Sequence, residues 1–147
     1  MVNKVDLEVS HLLPDVWDDS DPCVKRLIIR VLNQNGIHSV HTDYRGKGGI
    51  PVLRIHYDSE VIRESQVREV TKGVAAKLAE RYGHIYGLYS QDQGGVIRNA
   101  LLAFPGVLGV KVSSEGLVCV EFDRTRGSER IIHSAFAEIG IAVANVA

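Results

Sequence analysis

The chain repeats itself, and that repetition limits what it can fold into more than any local pattern does. Placing Gln93 beneath Cys23 brings Ile97 beneath Leu27, Leu101 beneath Val31 and the turn glycine Gly106 beneath Gly36. The same register sets Val107, Val110 and Val112 against Ile37, Val40 and Thr42. It breaks once, where the first copy carries five extra residues around Arg45, Gly46, Lys47, Gly48 and Gly49. It then resumes with Leu53, Ile55, Tyr57 and Asp58 over Val118, Val120, Phe122 and Asp123. In a chain of 147 residues this duplication predicts two small domains, residues 1–82 and 83–147. Domains of that size bury only about 60% of their unfolded surface, so each needs an efficient core or a neighbour to pack on.

Within the first copy, Val5, Leu7 and Val9 alternate through residues 4–10, the period-2 mark of a half-buried strand. Residues 11–22 lose all periodicity, with Pro14 and Pro22 among Asp15, Asp18, Asp19 and Asp21, and read as a loop. Asp21 suits a helix N-cap and Pro22 the first helical position, where a missing N–H costs nothing. Val24, Leu27, Ile28, Val31 and Leu32 then recur at helical spacing as far as Asn35-Gly36. A hairpin of residues 37–42 and 52–57 follows. Ser65 caps a second helix with Val67, Val70, Val74 and Leu78 as its buried positions. Two endings fit that helix: it stops at Gly73 and releases residues 76–81 as a closing strand, or it runs on.

The second copy places Ile97, Ala100, Leu101 and Phe104 on one helix face. Ser128 caps its second helix, whose stripe is Ile131, Ile132, Ala135, Phe136 and Ile139, and Gly140 ends it before a strand at 141–143. Each half therefore reads β-α-β-β-α-β, an α+β ferredoxin-like arrangement with both helices on one face of an antiparallel sheet. By alternation Arg54 and His56, and in the other copy Cys119 and Glu121, fall on the uncovered face. There the hairpin register brings His41 and His56 within about one diagonal step. Two imidazoles make a weak metal candidate, and solvated surface residues are the ordinary reading. Cys119, in mid-strand, reads as an unreactive thiol more readily than as a ligand. Trp17 in the acidic loop marks a contact surface or folds back on its own repeat.

Composition narrows the function classes. Seventeen Lys and Arg against eighteen Asp and Glu give a formal net charge of -1, which leaves no electrostatic footprint for phosphate. Nucleic acid is not an expected partner. Two cysteines cannot build a disulfide framework and read as thiols of a reducing compartment. No charged and then apolar leader opens the chain, and no apolar run approaches the ~20 residues of a membrane span. Direct membrane insertion is not expected, and the location reads as cytoplasmic. No nucleophile has a recognisable base beside it and no glycine loop precedes Lys and Ser/Thr, so catalysis is not expected either.

In the second copy the run Gly87-Leu88-Tyr89-Ser90-Gln91-Asp92-Gln93 is followed by Ile97, Leu101, Pro105-Gly106-Val107, Val110, Val112 and a closing Ile139-Gly140-Ile141. This resembles the heavy-metal-associated domain family, whose members carry a Gly-Met-x-Cys-x-x-Cys loop, a helix, a Pro-Gly-Val turn and a hairpin ending in Gly-Tyr. The first copy, with Leu12-Leu13-Pro14-Asp15, Asp21 and Cys23, and then Arg81-Tyr82-Gly83-His84, resembles the tandem cytosolic N-terminal region of heavy-metal-transporting P-type ATPases. The resemblance implies two tandem ferredoxin-like domains acting as a non-catalytic metal-binding or regulatory module. The implied partners are the catalytic domains of a transport ATPase or a metallochaperone-like protein.

The departures from that pattern bear on function. Family members hold soft ions between two loop thiolates, because sulfur suits those ions and a helix N-terminus favours thiolate. Here the corresponding positions are Ser90 and Gln93 in the second copy and Ser20 and Cys23 in the first, so one thiol survives. One sulfur does not make a linear Cu(I) site. With Asp18, Asp19 and Asp21 beside it, Cys23 could join a mixed sulfur and oxygen site for Zn(II) or Cd(II) of modest affinity. The plainer reading is a solvated loop in which Asp21 only caps the helix. A second function class also fits the fold, since tandem ferredoxin-like domains of the ACT type bind small ligands as sensors and others serve as protein-interaction modules.

Overall fold

The alternation of Val5 and Leu7 becomes strand β1 (Val2–Glu8) in the computed structural model, which describes residues 1–16, 20–89, 94–126 and 129–144. Val9, expected in that strand, opens the single turn α1 (Val9–Leu12) and is buried there with Leu12. Asp21 caps α2 (Pro22–Leu32), which is followed by β2 (Ile37–Arg45), β3 (Ile50–Asp58) and α3 (Glu64–Arg81). The three strands form an antiparallel sheet in the order β1-β3-β2. Leu27 and Val31 of α2, Leu53 and Ile55 of β3, and Val67 and Leu78 of α3 are fully buried and make its core.

The second unit follows the same path with one more strand. It comprises β4 (Tyr82–Leu88), α4 (Gly94–Leu102), β5 (Val107–Val112), β6 (Leu117–Asp123), α5 (Glu129–Ile139) and β7 (Ala142–Ala144). Its sheet order is β5-β6-β4-β7, and Ile97, Leu101, Val118, Val120, Phe122 and Phe136 fill the core. The chain divides into Met1–Ala79 and Glu80–Ala147, beside the expected division after residue 82. No helix among the described residues is long and apolar enough to cross a membrane, which says nothing of strands.

The repeat extends to backbone detail. Gly36 and Gly106 both take positive φ, 90° and 86°, a conformation that only glycine adopts without strain. Their carbonyls accept the amides of Asp58 and Asp123 at 2.9 and 2.8 Å. Both hairpins shift register in the same place, between Ile37 and Ser39 and between Val107 and Gly109. Both aspartates then turn the chain, Asp58 Oδ1 accepting the Glu60 amide at 3.0 Å and Asp123 Oδ1 the Thr125 amide at 2.9 Å.

The copies differ after β3. Helix α3 does not stop at Gly73; residues 76–81 are helical, so among the described residues the first sheet has no fourth strand. The helix starts at Glu64, ahead of Ser65, and the Gln66 side chain reaches back to accept the Arg63 amide at 3.0 Å. Its buried stripe is Val67, Thr71, Ala75 and Leu78, while Val70 and Val74 lie on the flank. Thr71 can be buried because its hydroxyl donates to the Val67 carbonyl at 2.7 Å. In the second unit Ile131 is 48% exposed, and Ile132, Ala135 and Phe136 carry the stripe; Ser128 lies outside the described residues.

The extra strand has a sterical counterpart. Gly87 of β4 has no room for a side chain, because a Cβ there would collide with Ile141 and Phe136. Register makes Leu7 its equivalent, since Leu7 faces Leu53 as Gly87 faces Val118. In the first unit Leu7, 7% exposed, supplies the apolar volume that Ile141 supplies in the second.

Gly73 stands in open space with a negative φ in mid-helix. Gly73→Ala is therefore expected to stabilise the chain by about 0.5–1 kcal/mol in denaturant unfolding, through lower backbone entropy of the unfolded state. Gly87→Ala, which overfills the second core, is expected to cost about 1–3 kcal/mol. A destabilising Gly73→Ala would show that the helix breaks there in solution.

Candidate metal centre

The start of α2 gathers the donors of the first unit. Asp21 is extended at the N-cap, its Oδ1 accepts the Cys23 amide at 2.9 Å, and Pro22 occupies the first helical position. This cap holds a carboxylate and a thiol two residues apart at the positive end of the helix, where anionic ligands are favoured. Cys23 is 1% exposed and Asp21 8%. The Arg26 guanidinium, one turn along, approaches the Cys23 sulfur at 3.4 Å. A cation held there competes with any metal for the sulfur. Asp15 and Ser20 are exposed. Trp17, Asp18 and Asp19, like Ser90 and Gln93 of the second copy, lie outside the described residues.

On the helix-free face of the first sheet, Arg54 donates from Nε and Nη2 to the two carboxylate oxygens of Asp6 at 2.9 and 3.0 Å, and from Nη1 to Asp43. This fork holds three strands together, since Asp6 is on β1, Arg54 on β3 and Asp43 on β2. His41 and His56 stack beside it, with ring centroids 5.6 Å apart and planes inclined by 15°. Ser39 Oγ lies 3.1 Å from His56 Nδ1. Rings laid plane on plane present faces to each other, whereas a chelate needs nitrogens aimed at one point.

The second unit contains a pair that the sequence reading passed over. His84 Nε2 and Glu121 Oε2 lie 3.3 Å apart across β4 and β6, with side chains only 3% and 5% exposed. Alternation put Glu121 on an uncovered face open to water, and the structure buries it. The available signal was the register itself: once β4 pairs with β6, His84 must face Glu121. An imidazole and a carboxylate are both hard-to-borderline ligand types, suited to Zn(II) more than to Cu(I).

Asp6 ionises well below the ordinary aspartate value of 3.8, chiefly because the Arg54 guanidinium hydrogen-bonds its carboxylate, against a smaller opposing effect of burial. The folded chain therefore binds fewer protons here than the unfolded one. The contribution of the pair is complete above the unfolded value and fades as pH falls through the lower folded value. Asp6→Asn is expected to lower stability at neutral pH and to flatten the loss of stability below about pH 4, read from denaturant midpoints across pH. An unchanged acid limb would mean that the fork does not form in solution.

No protein-family model and no curated protein matches the chain. Among solved structures, the N-terminal extension from Cupriavidus metallidurans CzcP is 30% identical, with a TM-score of 0.78 over 93% of this chain and 96% of that one. The N-terminal soluble domains of Bacillus subtilis CopA are 14% identical, covering 97% of this chain and 92% of theirs with a TM-score of 0.36. A second structure, of the water-soluble region of the P-type ATPase CopA from the same organism, is 15% identical over 97% and 90%, also at 0.36.

Proposed function

The chain belongs to the family of the CzcP extension, the heavy-metal-associated tandem regions at the N-termini of heavy-metal-transporting P-type ATPases, and from that premise we propose that it is a non-catalytic, metal-responsive module regulating such a pump. The observation that carries this reading is the Asp21 and Cys23 pair, built into the start of α2 where the family places its second thiolate. One sulfur with carboxylates fits Zn(II) or Cd(II), and the lost second thiol removes the two-sulfur geometry of Cu(I). A thiol 1% exposed takes an ion only if its cover reorganises. Loading is thereby coupled to a change of shape, as regulation of a docked partner requires. The partner is the catalytic part of the transport ATPase, with a metallochaperone-like protein as the supplier of the ion.

Calorimetric titration of the full chain with Zn(II) and Cd(II) tests this reading. The expected affinity is roughly micromolar, equivalent to about 8 kcal/mol, with an ultraviolet thiolate-to-metal band for Cd(II). Cys23→Ser should abolish both signals. Asp21→Asn, which keeps the cap but removes its charge, should weaken binding with little loss of stability. Absence of heat at tens of micromolar protein, or binding indifferent to Cys23→Ser, would overturn the assignment. Binding lost only in His84→Ala would place the ion on the second unit's pair.

A further inference from the structure

We propose that the outer edge of β1 is a docking groove that takes an extended, acidic peptide segment as a fourth strand of the first sheet. The internal repeat supplies the template. In the second unit the same edge is covered by β7, antiparallel, with Leu88 facing Ala142, Gly87 facing Val143 and Tyr86 facing Ala144. The equivalent residues Glu8, Leu7 and Asp6 pair with β3 on one side and, among the described residues, with no strand on the other. The chain that would close the sheet is consumed by the last turns of α3. β1 itself runs from Val2 to Glu8 against β3 without a register shift, so its edge is regular and fit to template another strand.

A cavity of 460 Å³ lies at this edge, lined by Leu7 and Glu8 of β1, Leu12 of α1, Arg45 of β2, and Arg68 and Lys72 of α3. Its charges fix the chemistry of the occupant. The carboxylates of β1 are already compensated, Asp6 by Arg54 at 2.9 and 3.0 Å and Glu8 by Arg45 at 3.3 Å with His11 at 3.0 Å. The cations across the cavity are not. Among the described residues Arg68 pairs with Glu64, one turn back at 3.5 Å with both side chains about half exposed, and such a pair holds weakly. Lys72 has no ion pair among the described residues. A strand entering here would gain main-chain hydrogen bonds from β1, and carboxylates on its helix-facing positions would meet Arg68 and Lys72. A second copy of the chain would bring the same two cations against their equals, which disfavours self-pairing.

The test uses the full chain and a fluorescein-labelled nine-residue peptide of alternating Glu and Val. Anisotropy should report saturable binding, and amide exchange should slow in β1. Three changes should each weaken binding about tenfold or more: the charge reversal R68E/K72E on the exposed helix face, replacement of Glu by Lys in the peptide, and N-methylation of alternate peptide nitrogens. The first two read charge and the third reads strand pairing. The proposal is overturned by absence of binding at millimolar peptide, by equal affinity for the lysine peptide, or by tight binding of the N-methylated one. It is also overturned by sedimentation showing a dimer that R68E/K72E strengthens, since β1 would then pair with a second copy.

Discussion

Each unit is built around its central strand, and the burial of that strand's inner face is the interaction on which the rest depends. Leu53, Ile55 and Tyr57 on β3, and Val118, Val120 and Phe122 on β6, lie beneath their helices with at most 4% exposure. Burying side chains of this size contributes about 1.5–3 kcal/mol each, which in a domain near 70 residues decides whether it folds. The strand can sit there only if the chain entering the hairpin and the chain leaving it are tied together. The bonds from Asp58 to Gly36 and from Asp123 to Gly106 do this in both copies, beside the two carboxylate turns. Both aspartates ionise below their ordinary value for related reasons, hydrogen bonds from Glu60 in one and from Thr125 in the other. The metal candidate is positioned by this frame, because α2 can begin at Asp21 only where Leu27 and Val31 reach the core.

The outer faces of the two sheets show how one frame carries different chemistry. In the first unit the polar residues of that face close on each other, with Arg54 satisfying Asp6 and Asp43 and with His41 stacked on His56. In the second the corresponding positions of β4 and β6 bear His84 and Glu121, buried against each other. Register equates Lys4 and His56 with that pair, so the copies differ at both of these facing positions. Burying a carboxylate is costly unless a cation or donor meets it, and His84 is one group that meets Glu121.

Much of this was legible in the sequence because a repeat is read twice. The apolar register and the turn glycines follow from aligning the chain with itself, and noise in one copy is corrected by the other. What failed was local and came from residues whose chemistry points two ways. Thr71, which apolar spacing does not select, is core, because its hydroxyl is satisfied within its own helix. At Gly73 the sequence fits both a stop and a continuation, and the helix continues because Ala75 and Leu78 carry the buried stripe beyond it. Ile131 reads as core and is half exposed, because Ile132 and Phe136 already fill that face. Glu121 reads as solvated, because alternation reports which face a residue is on and not whether water reaches that face. The Asp21 and Cys23 pair was legible as a cap, whereas the guanidinium of Arg26 against the sulfur is a contact that no spacing rule announces.

On the proposed metal-responsive reading, one loop thiol in place of the family's two would change the task of the site more than abolish it. A regulatory site reports a change in ion concentration only where it is partly filled, and a site with several thiolates is saturated long before the ion is in excess. Replacing sulfur by carboxylate lowers affinity for the softest ions most, so on that reading the site would be weaker and its preference would move toward Zn(II) and Cd(II). Arg26 would act in the same direction, since an ion at Cys23 would have to displace a guanidinium already at the sulfur. The frame shares this segment with the candidate site: Leu12, Leu13 and Val16, just before it, are buried in the first unit, and Asp21 holds the start of α2 through the bond from the Cys23 amide.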